Sequence, residues 1–205
     1  MQKFSVQEAF KFGWETFKKY PVFLIGVVLI VGILSSITNS LTNMLSDGGQ
    51  TSSLMSFLVS IAGSLIQMIL SLGMLKIAIT LARGGKPQWE DLYMQYPKFL
   101  NYLIASILYG LMVVIGLVLL VIPGIYLAVK YQMYSYLIVD KNLGPIEALK
   151  ESAVITKGNM WNLFLFILTS IVVVVIGVIL FLVGLLVAVP IVMVAGGYVY
   201  TKLAK

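Results

Sequence analysis

Residues 170–180, SIVVVVIGVIL, are apolar at every position from Ile171 onward. A strand of a membrane barrel alternates apolar and polar residues, so an unbroken run of this kind is not a barrel strand. Lipid offers the backbone no hydrogen-bond partner, so the run must satisfy its own amides and carbonyls as a helix. Windows of roughly 17 to 25 apolar residues, enough to cross ~30 Å of hydrocarbon, recur along the chain. They are Pro21–Thr38, Leu54–Leu81, Phe99–Ile122, Gly124–Val139, Trp161–Phe181 and Leu182–Tyr200. Pro123-Gly124 and Gly184 divide two long apolar stretches into hairpins, because proline lacks the amide a continuing helix would use. With 60% hydrophobic and 11% charged residues, the chain carries more apolar surface than a soluble domain of its length can hide. It reads as all-α, a single polytopic membrane domain over residues 1–205 with six transmembrane helices.

Charge then orients the helices. The formal charge of +6 would suggest a nucleic-acid partner in a soluble chain, but here the basic residues sit between apolar runs and no nucleic acid is expected. Lys3, Lys11, Lys18 and Lys19 precede the first span, and Arg83, Lys86 and Lys98 separate the second from the third. Lys141, Lys150 and Lys157 separate the fourth from the fifth, and Lys202 and Lys205 follow the sixth. The alternate loops carry one charge between them, Asp47. Lysine and arginine accumulate in cytoplasmic loops, which places both termini in the cytoplasm. The first twenty residues carry both signs of charge, unlike a cleavable leader, so the first span is expected to act as an uncleaved anchor.

Each pair of spans is preceded by a more polar segment: SVQEAFKFGWETFKKYPVFL, KPQWEDLYMQYPKFL and GPIEALKESAVITKGNMWNLF. YPVFL and YPKFL nearly coincide, which suggests three repeats of an amphipathic helix plus a helical hairpin. In the first segment Ser5 and Glu8 have capping-box spacing. Phe10, Trp14 and Phe17 are expected to share its apolar face, opposite Glu8, Lys11, Glu15 and Lys18. In the third, Pro145 suits a first helical turn, and Ile146, Leu149 and Ala153 are expected to face the apolar side.

Catalytic chemistry finds few candidates. The chain has no Cys and no His, which removes thiolate and imidazole chemistry together with the metal sites they form. Glu90-Asp91, and Asp140 with Glu147 further on, are the paired carboxylates available, and adjacent acids at a helix start are ordinary end charges. ARGGKPQ at 82–88 has no strand before it and reads as a helix end and turn, not a phosphate loop. No catalytic, cofactor or metal site is assigned. Ser52, Ser56, Ser60 and Ser64, and Ser106 with Gly110, have the spacing that lets helices approach closely. Gln67, Asn101 and Asn162 are positioned to bond between helices.

Lys130 is the exception to this bland interior. It lies ten residues before Asp140, and at 1.5 Å per residue a perpendicular helix would hold it about 15 Å below that acid. No Asp or Glu falls within any span, and an unpaired charge there costs at least ~2.5 kcal/mol. Three arrangements would relieve it. The span is tilted or broken and helix-end carbonyls receive the lysine, or Lys130 lines a hydrated groove for an anionic headgroup, or a partner carboxylate meets it. Lys76, seven residues before Arg83, is close enough to a span end to snorkel. Tyr126, Lys130 and Tyr134 would share one face of a continuous helix.

From Ile122 to Phe164 the positions Pro123-Gly124, Lys130-Tyr131, Asp140, Gly144, Ala148, Ser152, Thr156, Gly158 and Trp161 carry a family pattern. The segment resembles the bacterial integral-membrane family found ahead of the catalytic domain in some glycerophosphodiester phosphodiesterases, and in stand-alone relatives of unknown function. That resemblance implies a six-span module of the bacterial cytoplasmic membrane. It implies no phosphodiesterase activity, because that chemistry belongs to a soluble barrel which these residues do not contain.

The sequence therefore leads to a non-enzymatic multi-pass protein that binds or translocates an anionic lipid or amphiphile. The candidate contacts are Lys76, Arg83, Lys130, Tyr126 and Tyr134. The competing reading is an accessory module that organises protein partners, or copies of itself, at the cytoplasmic face.

Overall fold

The structure, a computed structural model, describes residues 4–46, 50–180 and 183–204. Lys3, Asp47, Lys205 and the Phe181–Leu182 junction lie outside the described residues, as does the side chain of Ser52. Every regular element among the described residues is helical: α1 (Val6–Lys19), α2 (Pro21–Ser46), α3 (Gln50–Ala82), α4 (Phe99–Leu119), α5 (Val121–Tyr131), α6 (Tyr134–Lys141), α7 (Pro145–Ile155), α8 (Met160–Ile179) and α9 (Leu185–Leu203). Five stretches are long and apolar enough to cross a bilayer, at Pro21–Leu45, Leu54–Ala82, Trp89–Leu119, Met160–Ile179 and Leu185–Leu203. The chain is a multi-helix membrane protein.

The segment 124–139 departs from a single helix. α5 ends at Tyr131, and α6 begins after Gln132 and Met133. α5 and α6 nevertheless retrace α4 in antiparallel order. Gly116 packs on Gly124, Tyr109 donates to the Ala128 carbonyl at 3.1 Å, Ser106 bonds the Tyr134 hydroxyl at 2.9 Å, and Lys98 donates to the Val139 carbonyl. The turn between α4 and α5 falls at Leu120, which is extended (φ −162°, ψ 142°), and not at Pro123-Gly124. Pro123 lies in the first turn of α5, where the amide it lacks has no helical acceptor.

The break is held open by α7. The Met133 amide donates to Ser152 Oγ at 3.1 Å, and Ser152 Oγ donates to the Lys130 carbonyl at 3.1 Å. Thr156 Oγ1 shares its one proton between the same carbonyl at 2.9 Å and the Ser152 carbonyl at 2.8 Å, and Gln132 Nε2 donates to the Val129 carbonyl at 3.1 Å. These bonds replace part of the missing ladder, as a buried backbone requires. Ser152 and Thr156 are fully buried. The inward face of α7 is accordingly Ala148, Leu149 and Ser152, while Ile146 is exposed. Helical spacing alone puts Ile146 inward; the bonding needs of the break rotate the helix away from that face.

α1 forms as expected but turns differently. It buries Ala9, Gly13, Thr16 and Phe17, because Gly13 meets α9 so closely that an added Cβ would lie 2.6 Å from the Ile191 carbonyl oxygen. Trp14 is exposed, with Lys18 Nζ 5.9 Å from its ring. Ser5 occupies the cap position without a side-chain cap bond. The middle polar segment is not an α-helix. It folds as two 3-10 turns, Trp89–Leu92 and Tyr96–Lys98, with Pro97 interrupting the amide series. Trp89 packs on Gly26 and Leu92 on Gly73, so this loop folds back along α2 and α3.

Two buried clusters tie the bundle together. Leu72, Ile79, Leu137, Ile138, Leu163, Val199 and Tyr200 belong to the larger, and Phe17, Leu24, Val27, Ile77 and Val194 to the smaller. α9 runs through both, with Gly197 seated against the Ala78 backbone of α3. The small-residue spacings act unevenly. Ser60 of the serine series bonds Thr42 of α2 at 3.3 Å, whereas Gly110 faces open space.

Candidate functional site

α3 ends in a turn that sets the first cationic group of the site. Gly84, at φ 78°, donates to the Leu81 carbonyl at 3.0 Å and Gly85 to that of Thr80 at 2.9 Å. This double bond pattern with a left-handed glycine terminates helices and satisfies their last carbonyls. Arg83, the sole arginine of the chain, emerges just before it. Its guanidinium grips Asp140 with two bonds, Nη1 to Oδ1 at 2.7 Å and Nη2 to Oδ2 at 2.6 Å. Tyr200 of α9 donates its hydroxyl to the same Oδ2 at 2.7 Å. The bonds to Asp140 raise the Arg83 guanidinium further above its ordinary value. One carboxylate thus clasps α3, α6 and α9, and its strong acceptor sites are occupied.

Other cations gather around it, and of these Lys141 has an acid of its own, Glu151. Lys98, entering α4, donates to the Val139 carbonyl, one of the last carbonyls of α6, where a cation complements the helix dipole. Lys76 lies close enough to act electrostatically on both Lys98 and Asp140. Beside the clasp opens a bowl of about 490 Å³ lined by Arg83, Asp140, Lys141, Tyr198, Thr201 and Lys202. Lys202 Nζ sits 5.3 Å from the Tyr198 ring, and Lys141 pairs at 3.3 Å with Glu151. Arginine and lysine of this kind bind phosphate and carboxylate groups, arginine as a fork and lysine as a point charge.

The candidate contacts divide between two places. Lys76 and Arg83 converge at this basic end. Lys130 and Tyr126 lie together on α5, where Lys130 Nζ is 5.7 Å from the Tyr126 ring and 5.3 Å from that of Tyr131. Tyr134 belongs to neither group, because the break at Gln132-Met133 takes it off the Tyr126–Lys130 face. It is buried against α4, bonded to Ser106 and 5.2 Å from the Tyr109 ring. The helix is broken after Tyr131, as one of the arrangements for Lys130 requires, but among the described residues no helix-end carbonyl receives its ammonium, which lies against the Tyr126 and Tyr131 rings. It is the Lys130 carbonyl that is engaged, accepting from Ser152 and Thr156 of the α7 region.

Asp140, Tyr200, Lys98, Lys141 and Lys202 complete the site and were not among the candidates. One signal pointed to the first: a lone arginine at one span end and a lone aspartate closing another apolar run.

Glu90 and Asp91 lie in the 3-10 turn Trp89–Leu92, and Asp91 accepts the Gln88 amide at 3.2 Å. Among the described residues no group of acids, histidines or cysteines could hold a metal ion. A polar cleft of about 420 Å³ between α2 and α3 is lined by Ser35, Thr38, Asn39, Ser60, Ser64 and Gln67. Its hydroxyls turn largely inward, as Ser35 does to Val31 at 2.9 Å and Ser64 to Ser60 at 2.8 Å. Gln67 bonds Ser35 and Asn162 bonds the Phe4 carbonyl, so both amides act between elements.

Residues 110–205 match a family described as Protein of unknown function (DUF975). The matched segment contains the α5–α6 break, α7, Asp140 and Tyr200, and the description assigns no activity. No curated protein and no solved structure matches the chain significantly.

Proposed function

We propose that the protein is a six-span protein of the cytoplasmic membrane that binds an anionic lipid or amphiphile at its cytoplasmic end. The fourth span is discontinuous, made of α5 and α6 together, which supports an even number of crossings with both termini inside. This agrees with the basic loops, since Arg83, Lys98, Lys141, Lys150 and Lys202 then all lie at the cytoplasmic side.

The observation that carries the binding reading is the bowl at the ends of α3, α6 and α9. Arg83, Lys141 and Lys202 line it with one acid, Asp140, whose oxygens are already held by Arg83 and Tyr200. A cationic surface at the level of lipid phosphates attracts anionic lipid by about 1 kcal/mol per basic residue. The role is binding or movement of such a ligand and not catalysis, in keeping with a carboxylate used as a clasp.

Native mass spectrometry after extraction with a mild detergent tests this. The wild type should retain phosphatidylglycerol in excess of its share of the membrane, and Lys141→Gln/Lys202→Gln should lose most of that excess while keeping its helical content. Equal retention in both proteins would reject the bowl as the binding place.

A further inference from the structure

The polar cleft between α2 and α3 has acceptors to spare and few donors. It measures about 420 Å³, within the roughly 300–1,000 Å³ usual for small-molecule sites. A hydroxyl has one proton and two lone pairs, and here the protons are spent within the helices. Thr38 donates to the Leu34 carbonyl at 2.9 Å, Ser64 to that of Ser60 at 2.8 Å and Ser71 to that of Gln67 at 2.9 Å. Thr42 donates to the Thr38 carbonyl at 2.9 Å, so its 3.3 Å bond with Ser60 takes the Ser60 proton. Lone pairs of Thr38, Ser64 and Ser71 are therefore left to the cleft they line. Asn39, exposed on the α2 wall, has no bonded partner among the described residues and brings amide donors. None of the described residues that line the cleft is charged. Ser35 and Thr42 lie about 21 and 32 Å along α2 from Pro21 at the helical rise. On the six-crossing reading the cleft thus belongs to the outer half of the bilayer, at the opposite end from the basic bowl.

We infer that this cleft takes the neutral, hydroxyl-rich headgroup of a membrane lipid, of the kind a sugar provides. Sugar hydroxyls donate to the lone pairs of Thr38, Ser64 and Ser71 and accept from the Asn39 amide, so each side supplies what the other lacks where hydrocarbon supplies neither. An ionic headgroup would give up its hydration here with no opposite charge to meet it. Ile37 and Leu41 of α2, and Ile61 and Leu65 of α3, are exposed beside the cleft residues in the chain and offer apolar surface to the acyl chains. The site is separate from the basic bowl, with other residues and an uncharged ligand.

The test uses the full chain in phosphatidylethanolamine nanodiscs containing equal amounts of monoglucosyl diacylglycerol and diacylglycerol, with bound lipids counted by native mass spectrometry. The wild type should hold the glucolipid over diacylglycerol by about tenfold, the size expected of one to two net hydrogen bonds. Asn39→Leu and Ser64→Ala should each cut that preference to about threefold or less with helical content and unfolding midpoint preserved. Asn39 has no bond to lose, and the Ser64 hydroxyl bonds its own helix. Ser36→Ala, exposed and outside the cleft lining, should keep the preference, as should Lys141→Gln/Lys202→Gln. Methyl glucoside in large excess should leave the lipid in place. Equal retention of the two lipids, or a preference unchanged in both cleft variants, would overturn the assignment. Loss of the preference in Ser36→Ala or in the double lysine variant would place the glucolipid elsewhere and overturn it too. Displacement by methyl glucoside would make the cleft a site for free sugar and reject the lipid. A protein dimer that Asn39→Leu dissociates would put a second copy of the chain in the cleft and likewise reject it.

Discussion

Ser152→Ala probes the bridge that keeps the fourth apolar run in two pieces. The serine hydroxyl accepts from the Met133 amide and donates to the Lys130 carbonyl, both at 3.1 Å, and Ser152 and Met133 are buried. Alanine removes one oxygen and so leaves almost no cavity; the cost is the polar groups it strands. The Lys130 carbonyl still holds Thr156 Oγ1 at 2.9 Å. Among the described residues the Met133 amide has no second partner, because the break carries it away from a helical acceptor. One buried unpaired donor costs about 1–3 kcal/mol. Thr156→Val keeps the side-chain shape and takes one of two donors from the Lys130 carbonyl, for about 0.5–1.5 kcal/mol. The double variant strands amide and carbonyl together, so its loss should exceed the sum of the single losses. Unfolding of the purified protein in detergent, followed by circular dichroism, ranks the four proteins. A Ser152→Ala protein as stable as wild type, or a double variant no worse than the serine change alone, would refute the bridge.

Tyr200→Phe deletes a buried hydroxyl donating to a carboxylate and should cost about 1.5–3 kcal/mol, read as a lowered unfolding midpoint; no change would mean that Arg83 alone holds Asp140. Gly197→Leu should destabilise by about 1–3 kcal/mol through overpacking against the Ala78 backbone, whereas Gly110→Ala, which meets open space, should be neutral or stabilise by up to ~1 kcal/mol. Comparable losses in both glycine variants would contradict the assigned packing. Lys130→Met loses contacts with two aromatic rings worth about 0.5–1 kcal/mol and should leave bound anionic lipid unchanged. A large drop in lipid count would move the anion site to α5.

The helical architecture is legible because apolar runs of this length admit no other solution in lipid, and the first apolar run, Pro21–Thr38, lies within α2. The break in the fourth is not, since its cause lies elsewhere. Ile122 to Val139 contains no residue that must stop a helix at Gln132. The partners that make a break tolerable, Ser152 and Thr156, sit on another helix and look like ordinary polar positions in their own segment. Lys130 does flag the place, but it is its backbone carbonyl that α7 hydroxyls engage, while its ammonium rests against the Tyr126 and Tyr131 rings. In α1 the apolar stripe is legible and its rotation is not. Gly13 packs against α9 and turns Trp14 outward, a choice that depends on a helix nearly 180 residues away. The basic end follows the same pattern. The loops that carry positive charge are visible in the sequence, while the clasp joins Arg83 to Asp140 and Tyr200 across three separate runs, and Lys98 reaches α6 only because the 88–98 loop folds back on α3.

The number of crossings is the claim on which the rest depends, and cysteine accessibility measures it in this cysteine-free chain. Single cysteines at Gln7, Leu120, Lys150 and Lys202 can be treated with a membrane-impermeant maleimide on intact spheroplasts and on inverted vesicles. If α5 and α6 together form one crossing, Gln7, Lys150 and Lys202 should label in inverted vesicles and Leu120 in spheroplasts. Labelling of Lys150 and Lys202 in spheroplasts, with Gln7 still reacting in inverted vesicles, would show five crossings. It would put Arg83 and Asp140 on opposite sides of the membrane from the positions their ion pair requires, and would contradict the account.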